Sequence, residues 1–130
     1  MVSPARAARL LYRRQFILGP RRSNLGLGWP SLPVASRFVL EAHPDLPILQ
    51  VRDAHTELTL IGVMLDPANP HRTDRDVLDG LLPAAREDRG MHEELRRMGG
   101  RWALIVAGDG PPRIVHDLCG LRQVVHSTVP

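Results

Sequence analysis

The sequence predicts an α+β fold in which packed antiparallel sheets carry two outer helices. Short apolar runs bounded by Gly, Pro and other turn residues occupy residues 15–65 and 101–127, which is typical of strands. Between these two regions the apolar spacing becomes that of a helix. The stretch RWALIVA at 101–107 is apolar on both faces of a strand, so we expect helices or a second sheet on each side of it.

Four strands are expected before the helices. The run QFILG closes at a Gly-Pro pair, and SRFVLEAH places alternate apolar residues on one face. Residues 20–33 are rich in turn formers and are predicted to be a loop. The last of the four runs, ELTLIGVML, is apolar almost throughout, so we expect it to be buried on both faces. The four predicted strands are residues 15–19, 36–43, 47–53 and 57–65.

Two helices are predicted next, and a meander of strands then ends the sheet. Thr73 with Asp76 three residues later has the spacing of a capping box, and the apolar positions of 77–82 share one helical face. The second helix is predicted around residues 91–98, and the pair Gly99-Gly100 is expected to stop it. The strands that follow are predicted at residues 101–107, 112–117 and 122–127.

Positive charge is concentrated at the N-terminus. Every basic residue other than His is Arg; residues 1–37 carry seven Arg and no acid, whereas residues 38–130 carry ten Arg and 14 acids. We therefore predict a flexible basic extension at 1–14, ahead of one domain at 15–130. A nucleic-acid-binding arm is the alternative; we rank it lower because no aromatic or repeated basic motif accompanies the charge.

The rest of the composition is typical of a cytoplasmic protein of a GC-rich bacterium. The single cysteine, Cys119, excludes an internal disulfide and suits a reducing compartment. No stretch approaches the roughly 20 apolar residues that span a bilayer, so no membrane partner is expected.

The C-terminal third of the chain carries a family resemblance. The segments LRRMGGRWALIV, RIVHD and CGLRQVV resemble the end of the class II glutamine amidotransferase domain of asparagine synthetase-like proteins. Upstream, FILGP, HPDLP and LTLIGVMLDPANP resemble divergent members, so the resemblance covers residues 15–127. It implies a reduced N-terminal-nucleophile hydrolase sandwich. The positions that match the family's two C-terminal motifs are Gly100, Arg101, Trp102, Ala103, Asp117, Gly120, Leu121 and Arg122.

The resemblance also implies that glutamine hydrolysis is lost. Active members expose an N-terminal Cys whose α-amine acts as base for its own thiol. This chain has Val2 and Ser3 at its start, and Cys119 cannot supply an α-amine. The family's Asn-Gly-Glu stretch, which holds glutamine, is replaced by LIGVMLDP, and the phosphate loop of the ATP-using domain is not found. We predict no catalytic residues and no cofactor.

The motif residues are predicted to be structural. Asp117 would cap a tight turn, Gly120 would take a positive φ, and Arg122 would pair with Asp117 or a nearby carbonyl. The alternative is a surface that contacts a synthetase domain. Trp102 is expected to anchor the core. No metal site is predicted, because His116 and Asp117 point to opposite faces of a strand and the histidines lack ligand spacing.

These observations predict a degenerate glutamine amidotransferase-like domain. It would be a non-catalytic structural or docking module for an ATP-dependent, amide-forming synthetase domain, in the same chain or a separate one. The alternatives are an active asparagine synthase-type amidotransferase subunit and an Arg-rich nucleic-acid-binding module. A sheet that ends after residues 122–127 would leave an open edge, so docking or self-association as a homo-oligomer is also expected.

Overall fold

A computed structural model describes residue 1 and residues 3–128. Val2 and Pro130, on which sequence predictions rest, lie outside the described residues. The chain forms two compact units, Met1–Pro47 and Ile48–Pro130. Together they contain two antiparallel sheets and the two predicted helices, which confirms the α+β class. The flexibility of residues 1–14 stays a prediction.

The first unit contains a short helix and a three-stranded antiparallel sheet. Helix α1 is capped by Ser3, whose Oγ accepts a hydrogen bond from the Arg6 amide at 3.3 Å. The strands are arranged in the order β1-β3-β2. Strand β3 therefore lies at the centre, and the long loop after β1 leads to the opposite edge strand, β2. The elements are α1 (Pro4–Leu10), β1 (Phe16–Gly19), β2 (Ser31–Val34) and β3 (Phe38–Ala42).

Strand β2 corrects the prediction that residues 20–33 are all loop. It contains Pro33, which an edge strand tolerates because its outer side needs no N–H donor. A tight turn joins β2 to β3, with positive φ at both Ala35 (54°) and Ser36 (55°). The Arg37 amide donates to the Val34 carbonyl at 3.3 Å, as in a type I′ hairpin turn. Turns with two positive φ values usually contain Gly, Asn or Asp, so Ala35-Ser36 did not predict this hairpin from the sequence.

The second unit contains a four-stranded antiparallel meander with two helices. Strands β5 and β6 pair along nine residues each, from Glu57 opposite Ala107 to Leu65 opposite Gly99. The predicted capping box at Thr73 is confirmed, and it begins α2. The sheet order is β4-β5-β6-β7. The elements are β4 (Ile48–Arg52), β5 (Glu57–Leu65), α2 (Asp74–Leu81), a 3₁₀ turn (Ala84–Arg86), α3 (Asp88–Leu95), β6 (Gly99–Ala107) and β7 (Arg113–His116).

The core of the second unit lies between its sheet and its helices. Alternate residues of β5 and β6 pack there with the apolar faces of α2 and α3, as the helical spacing predicts. Trp102 belongs to this cluster and is 1% exposed. The opposite face of the two strands is buried as well, at Thr59, Ile61, Ala103 and Ile105. The prediction that both faces are buried is therefore confirmed for residues 58–62 and 102–107, whereas Val63 and Leu65 at the end of β5 are exposed.

Two local predictions in the second unit were wrong, and one predicted element is shifted. The second helix is present but runs over Asp88–Leu95 rather than 91–98. Gly99 and Gly100 do not end it but open β6, where Gly100 has a φ of 104° and a Cβ would overlap the Val63 carbonyl oxygen. Residues 122–127 form no strand.

Candidate functional site

The candidate site is the turn that follows β7, where the carboxylate of Asp117 organises the backbone. Its Oδ1 accepts the Leu121 amide at 2.8 Å, and its Oδ2 accepts the Arg122 amide at 2.9 Å. Oδ2 also lies 3.4 Å from the amide nitrogen of Trp102 on β6. Gly120, with a φ of 61°, allows the chain to turn back on the carboxylate. One side chain thus fastens the turn to itself and to the sheet.

Asp117 is buried and charged, which is a stable combination only because of these donors. Asp117 is only 2% exposed. Burial alone raises the pKa of a carboxyl, but the backbone amides of Leu121, Arg122 and Trp102 together bring the pKa of Asp117 below its usual value. The turn is therefore held by an ionised carboxylate at neutral pH.

The structure brings together only part of the sequence motif. Trp102, Asp117, Gly120 and Arg122 meet at the turn, as the hydrogen bonds of Asp117 and the return of the chain at Gly120 show. The backbone amide of Arg122 donates to Asp117; the pairing of the Arg122 side chain with Asp117 or a nearby carbonyl stays a prediction. Arg101 is exposed, and Gly100 lies opposite Met64 on β5, so neither joins the turn.

The outer surface of the turn is apolar. Leu118 is 68% exposed and Leu121 is 55% exposed, and Cys119 between them is exposed too. These side chains project from a backbone that the buried carboxylate fixes. A rigid apolar turn of this kind loses little conformational entropy when a partner covers it.

A second buried carboxylate, that of Asp66, lies directly after β5. Asp66 accepts hydrogen bonds from Arg72 Nη1 at 2.9 Å, Asn69 Nδ2 at 3.2 Å and the Ala68 amide at 3.0 Å. The hydrogen bond from Arg72 is the main reason why the pKa of Asp66 is lowered. The signal in the sequence was an Asp-Pro pair with Asn three residues after the Asp, a pattern typical of a loop held by a side chain.

The first unit also contains buried polar groups that the sequence did not reveal. His43 accepts the Asp45 amide at Nδ1 (3.0 Å), so Nε2 carries the proton that is donated to the Arg9 carbonyl (2.8 Å). Glu41 accepts the Ser23 amide at 2.6 Å and lies 3.7 Å from Arg22. Each group is paired inside the unit, which gives it a structural role there.

The described residues offer little for metal chemistry. Among them, no group of three or more His, Cys, Asp or Glu side chains is placed to hold a metal ion. Across the same residues, every helix is too short or too polar to cross a membrane.

The fold and the turn were also compared with known proteins. No protein-family model, no curated protein and no solved structure matches this chain.

Proposed function

We propose that this chain is a divergent glutamine amidotransferase-like domain that acts as a docking module for an ATP-dependent, amide-forming synthetase domain. The observation that carries the proposal is the turn at 117–122. Its Asp-x-x-Gly-x-Arg motif is the most distinctive part of the family resemblance, and the buried Asp117 holds it rigid. The fold expected from the resemblance is a reduced N-terminal-nucleophile hydrolase sandwich in a bacterial, cytoplasmic protein.

The turn has the physical properties of a docking element. Leu118 and Leu121, three positions apart in the same turn, present exposed apolar area on a backbone fixed by three amide contacts. Apolar burial supplies most of the free energy of association, and a fixed backbone reduces its entropic cost. Strand β7 beside the turn is at the edge of its sheet and presents a second surface for a partner or a second copy of the chain.

The domain is proposed to be catalytically silent toward glutamine. The nucleophile of the resembling family needs a thiol and an α-amine on the same residue. The cysteine of this chain is Cys119, inside the turn, where its nitrogen is part of a peptide bond. A partner domain would therefore carry the chemistry.

Docking is tested with the purified chain and the amide-forming synthetase encoded in the same genome. We expect saturable binding in bio-layer interferometry with the chain immobilised. Changing both Leu118 and Leu121 to Asp should weaken the affinity at least about tenfold, because two apolar contacts are replaced by charges that binding would have to desolvate. Leu25→Asp is the matched control because Leu25 is as exposed as Leu118 but lies in the other unit. Binding that is absent, or unchanged in the double variant, contradicts the docking role.

Silence is tested separately by a glutaminase assay on the pure chain. We expect no release of ammonia above a heat-denatured sample. Activity that disappears when one residue is changed would show a working nucleophile and would favour the amidotransferase subunit instead. The nucleic-acid alternative has its own readout, because phosphate contacts would make binding weaken steeply with salt and depend on residues 1–14.

A further inference from the structure

The second unit has a cavity of about 550 Å³ that neither the sequence motif nor the docking turn involves. It lies where the β4–β5 turn, the β6–β7 turn and the 3₁₀ turn Ala84–Arg86 meet, at one end of the sheet. The volume is within the range of small-molecule sites, about 300–1,000 Å³. Its walls combine apolar side chains, including Val106 and Ala107, with the arginines Arg86 and Arg113.

The guanidinium of Arg86 is held in place by a second layer of contacts. Arg86 Nη2 donates to Asp53 Oδ2 at 3.0 Å. Asp53 is in turn fixed through Oδ1 by the amides of His55 and Thr56, both at 2.8 Å. These two amides are the main cause of the lowered pKa of Asp53, so the carboxylate stays charged. An arginine whose guanidinium is held in one orientation at a cavity wall is better suited to bind a ligand than a mobile surface arginine is.

The chemistry of the lining selects the ligand. A guanidinium has five N–H donors in a planar fork that matches a carboxylate, and Asp53 occupies Nη2 of Arg86, leaving further donors on the fork. The apolar wall at Val106 and Ala107 suits a hydrocarbon body. Asp109, on the rim turn, opposes multiply charged anions. We propose that this cavity binds a small organic monocarboxylate with an apolar body and that Arg86 receives its carboxylate.

The test is an NMR titration of the isotope-labelled full chain with hexanoate. We expect saturable shifts of the amides of Ala85 and of residues 106–108, and at least about tenfold weaker binding of hexanamide, its neutral isostere. Arg86→Gln should weaken hexanoate by at least about tenfold, because it removes a charge-assisted contact. Arg97→Gln is the control: Arg97 is also exposed and near an acid, Glu94, and should leave the affinity unchanged.

Three results would overturn the proposal. They are the lack of saturable shifts at these amides, equal affinity for hexanoate and hexanamide, and an Arg86→Gln variant that binds as the parent does. Arg86 is 53% exposed at its side chain, so the variant is expected to fold, and the dispersed spectrum reports this directly. The docking turn takes no part in this site, so each proposal can fail without the other.

Discussion

Two buried carboxylates end strands of the second unit, and they are satisfied in different ways. Asp66, after β5, is held largely by the side chains of Arg72 and Asn69. Asp117, after β7, accepts backbone amides, including those of Leu121 and Arg122. The first loop therefore depends on which side chains are present, whereas the second depends on the path of the backbone.

This difference bears on function. At Asp66, the neighbouring polar side chains are used to hold the loop, and the loop leads directly into α2. At Asp117, the backbone holds the turn, so the side chains of Leu118 and Leu121 are available for outside contacts. A turn whose shape is independent of its outward side chains is the better candidate for a docking surface.

The largest expected effect is that of Asp117→Ala. It leaves the amides of Leu121, Arg122 and Trp102 without their acceptor in a buried place, and each unsatisfied donor costs free energy. We expect the free energy of unfolding to fall by about 4 kcal/mol, measured by urea denaturation. Asp109→Ala, at an exposed position on the turn before β7, should leave the urea midpoint unchanged. A small loss for Asp117→Ala would mean that water replaces the carboxylate.

The second effect is a loss of stability in acid. The pKa values of Asp117 and Asp66 are both lowered by folding, so their contribution is complete above the ordinary Asp value of about 3.9 and is lost as the pH falls through the lowered values. The urea midpoint should therefore decline below about pH 4. Asp117→Asn cannot titrate at this position and should flatten the decline. An acid profile that the variant shares with the parent would contradict this assignment.

A smaller effect is expected for Arg72→Met, which breaks the side-chain support of Asp66. The Ala68 amide and Asn69 remain on the carboxylate, so the loss should lie below that of Asp117→Ala. Arg75→Met, at an exposed helical position, controls for the loss of an arginine. Thermal denaturation of both variants measures the difference. A loss as large as that of Asp117→Ala would remove the distinction between the two carboxylates.

Sequence reasoning worked where the pattern is local. The capping box at Thr73 and the two-faced apolar pattern of 101–107 gave the correct elements, because each is determined by neighbours in the chain. The position of Asp117 at a turn and the positive φ of Gly120 were predictable for the same reason. The fold class followed from these elements.

It failed where hydrogen bonds and close contacts that the apolar pattern does not show decide the conformation. The Val-Val pair at 124–125 suggests a strand, but the amides of Leu121 and Arg122 are drawn to Asp117, and the chain turns there instead of extending β7's meander. The pair Gly99-Gly100 resembles a helix stop, yet Gly100 is needed where β6 passes close to Val63 of β5. The contact between Arg86 and Asp53 joins residues 33 positions apart, which no local pattern could indicate.

The smallest effect, that of Gly120→Ala, tests whether backbone shape alone governs the turn. The φ of 61° is unfavourable for alanine, but a Cβ at this position would meet no atom within 4 Å. The cost should therefore be conformational only, about 1 kcal/mol in urea denaturation, and smaller still for Gly120→Asn because Asn tolerates this region. Gly110→Ala has the same open space without a positive φ and should change little. The hydrogen bonds to the Asp117 carboxylate remain in Gly120→Ala, so binding to the synthetase should also remain. A variant that stays folded but no longer docks would show that the Asp117 contacts alone do not keep the turn in its binding conformation.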